Sequence, residues 1–315
     1  MKGRILVLGS SNVDLILRIP RFHHPGETIT GQGLATAFGG KGANQAIAAR
    51  RLGGEVVFLT KLGSDSFGTS YRKYLTQEGL PARFLLRDSN LPTGVAVIEL
   101  IPNGENRIII SPGANGALAV KDLARHREIW KGVSVLGAQL ETPLDTVAKG
   151  LLLAKEKGSL TLLNPAPAVP LPPQVFPLVD FLVPNEGEAQ LLTGIKMQGK
   201  KDLPKMARRL LARGAGNVVI TLGAQGLYFR NPQEEIWMDA FRVKAVDTTA
   251  AGDAFIGALA CGLAGGKPIR EVLRWANAAG ALATTKLGAQ PSLPWKREVE
   301  TFLAKPGGGS RSFRG

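Results

Sequence analysis

Short apolar runs alternate with longer segments of helical apolar spacing along most of the chain. Residues 4–9 form the first run, and it stops at Gly9-Ser10-Ser11-Asn12, the pattern of a buried strand ended by a turn. Val56-Val57-Phe58-Leu59 predicts a second strand, and the spacing predicts helices over 43–52 and 66–77. From Val133 onward the alternation is regular. Strands are expected over 133–137, 160–163, 179–183, 217–222 and 226–230, with helices over 143–157, 186–193 and 203–213. Two more helices follow over 250–264 and 269–285, the first so uniformly apolar that it should be buried on every side. Alternation of this kind predicts an α/β three-layer sandwich, with a mostly parallel central sheet between helices.

Two stretches break the rhythm. Residues 14–38 carry short alternating pieces interrupted by Pro20, Pro25-Gly26, Gly31 and Gly33. A second β-rich stretch over 84–111 places Val95-Ala96-Val97-Ile98 and Arg107-Ile108-Ile109-Ile110 on either side of the turn Pro102-Asn103-Gly104-Glu105. Two β-only insertions in an alternating chain are expected to form one accessory sheet. No linker divides the rest, so residues 1–304 read as one domain and 305–315 as a disordered glycine-rich tail.

Composition narrows the function classes. With 315 residues, 44% hydrophobic and 20% charged, the chain has material for a sizeable core. Its one cysteine, Cys261, excludes an intrachain disulfide and a cysteine-based zinc site, and suits a reducing compartment. His23, His24 and His126 have no metal-ligating spacing. The apolar run near the N-terminus is too short for a signal peptide, and residues 254–264 are too short to span a bilayer. A cytoplasmic protein without a membrane partner is expected. The net charge of +14 would suit nucleic acid, but the basic residues are scattered and no zinc finger, arginine-rich arm or aromatic stacking module accompanies them. No nucleic-acid partner is expected.

Five short motifs carry candidate chemistry. Asp247-Thr248-Thr249-Ala250-Ala251-Gly252-Asp253 opens directly into the apolar helix. Free N–H groups at such a start can hold a transferring phosphoryl group, and Asp253 beside them suits a base that takes a hydroxyl proton. Gly39-Gly40-Lys41-Gly42-Ala43-Asn44-Gln45 lets backbone approach a ligand and offers an amide to vicinal hydroxyls, without being a Walker A loop. Asn12 and Asp14 follow the first strand, where open α/β sheets bind ligands. Asn185 and Glu188 begin a helix and suit hydrated Mg²⁺, while the Thr221-to-Gly226 turn suits a nucleotide. Each also reads as ordinary capping or turn chemistry when taken alone.

Taken together, in order and spacing, the motifs resemble the PfkB carbohydrate kinases from about Arg4 to about Leu303. Gly39 to Ala46 is similar to the family's N-terminal signature and Asp247 to Asp253 to its C-terminal one. Lys286-Leu287-Gly288-Ala289-Gln290-Pro291-Ser292 and Asn164-Pro165-Ala166-Pro167-Ala168 are closer to its ribose-phosphorylating branch. The resemblance implies a Rossmann-like sheet with a small β lid built from about 14–38 and 90–112, and a homodimer through that lid. It implies transfer of the γ-phosphoryl group of ATP to the 5-hydroxyl of D-ribose, with Asp253 as general base and Ala250, Ala251 and Gly252 forming the anion hole. Sugar-binding positions fall on Asn12, Asp14, Gly40, Lys41, Asn44, Glu141 and Asp253. ATP-contacting positions fall on Asn185, Thr221, Gly223, Gly226, Gly252 and Asn277, and the position linked to Mg²⁺ on Glu188. An activating K⁺ is implied at Asp247, Thr249, Ala283, Lys286, Gly288 and Ser292. Ala250 stands where many members carry glycine, a tolerable change if the backbone there stays helical; Asn277 stands where some carry histidine. Kinases for deoxyribose, fructose, 2-keto-3-deoxygluconate or nucleosides share the scaffold. So would a sugar sensor that had lost its base.

Overall fold

In the computed structural model, which describes residues 3–305, the chain forms two sheets. Residues 306–315 of the expected glycine-rich tail lie outside the described residues. The chain opens with β1 (Arg4–Leu8), β2 (Asn12–Arg18), β3 (Gly33–Gly39), α1 (Lys41–Arg51), β4 (Glu55–Gly63) and α2 (Ser66–Gln77). Then come β5 (Leu85–Asp88), β6 (Gly94–Leu100), β7 (Asn106–Ser111), α3 (Val120–Arg125), β8 (Val133–Ala138) and α4 (Leu144–Glu156). The second half holds β9 (Leu160–Leu163), β10 (Phe181–Leu182), α5 (Glu186–Thr193), α6 (Leu203–Ala212), β11 (Asn217–Thr221), β12 (Leu227–Arg230) and β13 (Glu235–Met238). Three helices close it: α7 (Ala251–Ala264), α8 (Ile269–Ala283) and α9 (Lys296–Ala304).

The large sheet has nine strands in the order β13-β12-β11-β10-β9-β8-β1-β4-β5, parallel except for the last hairpin of β12 and β13. Its parallel strands are apolar on both faces because helices cover both. Successive side chains of a strand point to opposite sides. Ile5 and Val7 therefore join the core under α1, α7 and α8, while Leu6 and Leu8 join the core under α3, α4, α5 and α6. Helix α7 lies buried along nearly its whole length, as its apolar sequence predicts.

The two β insertions do meet in one accessory sheet, in the order β3-β2-β6-β7. The outer pairs are antiparallel hairpins, and the central β2–β6 pair is parallel, with Asn12 opposite Gly94. Strand β2 follows the carboxyl end of β1 after three residues, so the small sheet begins where the large one ends. Leu34 on β3 and Ile108, Ile109 and Ile110 on β7 are exposed, and β7 is open to solvent along its length.

Candidate active site

The site lies at the carboxyl ends of the parallel strands, where β1, β8 and β10 hand over to loops and helix starts. Helix α7 begins there without a side-chain cap. Ala251 N–H reaches Thr248 O at 3.2 Å, but among the described residues no backbone acceptor takes the N–H of Gly252 or Asp253. Gly252 is exposed, and a Cβ built on it would meet nothing within 4 Å, so the turn is open beside Gly252. Free first-turn N–H groups at a helix start can hold an anion.

Asp253 sits in this turn, buried, with both carboxylate oxygens held by amides of α1. Asn44 Nδ2 donates to Oδ2 at 2.9 Å and Gln45 Nε2 donates to Oδ1 at 3.0 Å. Gln45 also donates to Asn164 Oδ1 at 3.2 Å, and its own Oε1 accepts from Gln139 Nε2 at 2.5 Å. Asn44 Oδ1 is buried with no hydrogen-bond partner. An orphaned buried acceptor costs roughly 1–3 kcal/mol, which a donating ligand hydroxyl would recover.

The glycine loop is shaped by backbone needs. Gly40 has φ 90, and a Cβ there would lie 2.6 Å from Asn12 N, so only glycine lets β3 turn into α1 so close to β2. Tyr71, wholly buried and stacked on Phe38 with centroids 4.3 Å apart, donates its hydroxyl to Gly39 O at 2.5 Å. Glu141 reaches the loop from the end of β8. Its Oε2 accepts Ser10 Oγ at 2.5 Å, Lys41 N–H at 3.1 Å and Asn12 Nδ2 at 3.4 Å, leaving Oε1 for a ligand. Asn12 Oδ1 in turn accepts Asn115 Nδ2 at 2.7 Å.

Four carboxylates and one cation share this small volume. The Asp14 carboxyl is pushed up to about 7, first by burial and then by the charges of Glu141 and Asp253. Burial pulls the Lys41 ammonium down, but Asp253, Glu141 and Glu188 outweigh it and hold it above its ordinary value. Lys41 thus links the Asp253 side of the site to Glu188. Burial raises the Glu188 carboxyl above its ordinary value against the Asn185 N–H and Lys41.

Asn185 and Glu188 form a reciprocal capping box: Glu188 N–H donates to Asn185 Oδ1 at 2.8 Å, and Asn185 N–H donates to Glu188 Oε2 at 2.8 Å. Asn185 bridges to Thr221, which brings the 221–226 turn beside them. That turn is the β11–β12 hairpin connection and carries Gly223 and Gly226. Asn277 donates to Asp239 O at 2.8 Å from α8, behind the same hairpin. The loop before α7 is tied by Asp247, whose Oδ1 accepts Thr249 N–H at 2.9 Å and Thr249 Oγ at 2.6 Å, while Oδ2 accepts Gly288 N–H at 2.8 Å. Against the cost of its burial, these bonds hold the Asp247 carboxyl below its ordinary value. Ser292 Oγ donates to Ala289 O, and Lys286 Nζ pairs with Glu298 at 2.6 Å, so the Lys286 side chain turns away from Asp247 and only its backbone remains for a cation.

One expectation needs correction. The backbone at Ala250 is not helical: it has φ 58 and ψ 8, the left-handed region, and α7 starts one residue later. Glycine adopts that conformation freely and alanine does so at a cost of about 1 kcal/mol or more. Gln45, Gln139, Asn115, Ser10 and Tyr71 join the site beyond the residues expected there. Gln45 lies inside the glycine-loop motif and Ser10 inside the turn after the first strand; Gln139, Asn115 and Tyr71 carry no local signal.

The sequence model described as pfkB family carbohydrate kinase matches residues 2–296. The chain is 39% identical over 303 residues to the ribokinase of Haemophilus influenzae, covering 96% of this chain and 99% of that one. A ribokinase structure from Thermotoga maritima superposes with TM-score 0.88 at 36% identity, over 96% of this chain and 100% of its own. The Arabidopsis thaliana ribokinase complexed with ribose and ATP superposes with TM-score 0.89 at 31% identity, over 97% of this chain and 100% of its own.

Proposed function

The chain belongs to the pfkB family of carbohydrate kinases, and we propose that it transfers the γ-phosphoryl group of ATP to the 5-hydroxyl of D-ribose, giving D-ribose 5-phosphate and ADP. The observation that carries this reading is Asp253: a carboxylate fixed by two amides, in the same helical turn as N–H groups that no backbone acceptor takes. Phosphoryl transfer needs positioning and charge neutralisation more than covalent chemistry. Ribose binds between the glycine loop and the small sheet. Its hydroxyls donate to Asp14, Glu141 Oε1 and the orphaned Asn44 Oδ1 and accept from the Lys41 ammonium. Asp253 accepts the proton of the 5-hydroxyl as that oxygen attacks the γ-phosphorus. The Gly252 and Asp253 N–H groups receive the charge that develops on the transferring group, and the Lys41 ammonium adds to them.

ATP lies along Asn185, the 221–226 turn and Asn277, with its γ-phosphate toward Gly252. The donor set fits a nucleotide-borne Mg²⁺. Glu188 offers one desolvated carboxylate, and no group of three or more His, Cys, Asp or Glu able to hold a metal occurs among the described residues. Mg²⁺ prefers few protein ligands and many waters, and it supplies charge neutralisation on the phosphates. A monovalent cation fits the oxygen-rich loop of Asp247, Thr249, Ala283, Gly288 and Ser292, held through Asp247 and backbone carbonyls.

The small sheet acts as the lid over the sugar, and its exposed Leu34 and Ile108 to Ile110 support pairing with a second copy. No helix among the described residues is long and apolar enough to cross a membrane, and the reading places the enzyme in the cytoplasm. An ADP-release assay over ribose, deoxyribose, fructose, 2-keto-3-deoxygluconate and nucleosides, with and without K⁺, tests the reaction, its acceptor and its cation. Ribose should have the highest kcat/KM, and K⁺ should raise the rate. A clear preference for another acceptor overturns the substrate, and ADP release insensitive to every acceptor overturns the kinase reading.

A further inference from the structure

A second cavity, of about 330 Å³, lies away from the active site between the outer strands β4 and β5 and helix α3. Four cations line it (Lys61, Arg87, Lys121 and Arg125) against two carboxylates, Asp88 and Asp122. Lys61 and Asp122 are both buried and neutralise each other at 2.6 Å. Lys61 Nζ gives a second hydrogen to Ala117 O at 2.8 Å, which leaves the third for a ligand. His126 Nδ1 faces Asp122 O at 3.0 Å and must be the donor there, so Nε2 remains available. Lys121 and Arg125 are exposed, one helical turn apart on α3, and no hydrogen bond or ion pair within the described residues holds either one. Arg87 reaches Ser64 O and Thr69 Oγ with one Nη only. The residual charge of this cavity is positive, and its size suits a small phosphorylated molecule.

The cavity also stands at the two chain crossings that carry the β6–β7 hairpin. Its wall at residues 86–90 leads into β6, whose first residue, Gly94, lies opposite Asn12. Its other wall, residues 121–126, follows the turn Gly113–Ala117 that leaves β7. Within that turn Ala117 O binds Lys61, and Asn115 binds Ser11 O and Asn12 Oδ1. Both walls therefore lead within a few residues to Asn12, beside the sugar loop.

We propose that this cavity is an effector site for a small phosphomonoester. The phosphate bridges Arg87 on the strand entering the hairpin to Lys121 and Arg125 on the helix leaving it, and so sets sugar affinity through Asn12. Glycerol 3-phosphate is a suitable probe, and calorimetry on the full chain without nucleotide measures its binding. The doubly substituted Lys121→Gln/Arg125→Gln chain should bind it roughly ten- to a hundredfold more weakly, the scale of two hydrogen bonds lost from exposed side chains. A Lys200→Gln/Lys201→Gln control, which loses the same charge elsewhere, should bind as the native chain does. Saturating probe should shift the KM for ribose of the native enzyme several-fold with kcat little changed, and leave that of the Lys121/Arg125 variant where it was. Equal binding by all three chains, equal weakening in the control, or a ribose KM that ignores the bound probe would each overturn the proposal.

Discussion

Asn44 and Asp253 stand 209 positions apart in sequence and are joined by a 2.9 Å hydrogen bond from Asn44 Nδ2 to Asp253 Oδ2. The bond is possible because α1 and α7 nearly touch. A Cβ on Gly257 would lie 2.5 Å from Ala48 Cβ and 2.8 Å from Ala49 N, so glycine is what lets the two helices approach. That contact sets the glycine loop against Asp253 and leaves Asn44 Oδ1 unpaired.

Gln45 holds the other carboxylate oxygen, and its role is separable from stability. Gln45→Leu should lower kcat about tenfold with a small change in ribose KM. It should also cost roughly 1–3 kcal/mol by stranding Gln139 Nε2. Adding Gln139→Leu should restore much of the melting temperature but not kcat. Recovery of both together would make Gln45 a purely structural residue.

Asp14 gives the enzyme a pH signature. Its carboxyl is ordinarily near 3.8 and stands at about 7 in the folded chain, so between those values the folded protein keeps a proton that the unfolded chain has lost. This group's contribution to stability therefore falls as pH rises through that window. Sugar hydroxyls prefer the carboxylate, so ribose affinity should rise with pH through about 7, and binding there should release a fraction of a proton. Calorimetry in buffers of different ionisation enthalpy reads that release directly. Asp14→Asn should bind ribose more weakly and release none; native binding without proton release contradicts the assignment.

Ala250 holds a left-handed conformation that glycine adopts without strain. Ala250→Gly should raise the melting temperature by roughly 1–3 °C, with kcat within about twofold, because strain relief slightly exceeds the added freedom of the unfolded chain. Thermal unfolding decides it, and a lower melting temperature would show that the surroundings favour the alanine methyl.

The exposed isoleucines of β7 bear on assembly. Ile109→Lys should turn a sedimenting dimer into a monomer with the fold intact by circular dichroism, since a charge in an apolar interface leaves an unpaired buried group. A native chain that sediments as a monomer would contradict pairing through the lid.

The layers, the strand order's parallel character and the union of the two β insertions were legible in the sequence because they follow from local periodicity. Ser66–Gln77 is a helix on its sequence pattern alone. The site was legible only as separate motifs. Nothing local tells that Gln139 at the end of β8 would brace Gln45, or that Asn115 would bind Asn12, because those partners meet through the sheet order. The conformation of Ala250 was hidden for the opposite reason. Alanine signals helix, and here it sits left-handed in a turn that Asp247 and Thr248 tie through Thr249 N–H and Ala251 N–H.

The central claim is that Asp253 takes the proton of the sugar hydroxyl, and Asp253→Asn tests it most directly. The substitution keeps the shape of the side chain and removes its basicity. Steady-state ADP release should show kcat lower by roughly two to four orders of magnitude, with ribose binding by calorimetry within a few-fold of the native chain. Near-native turnover by a variant that still binds ribose would contradict the account.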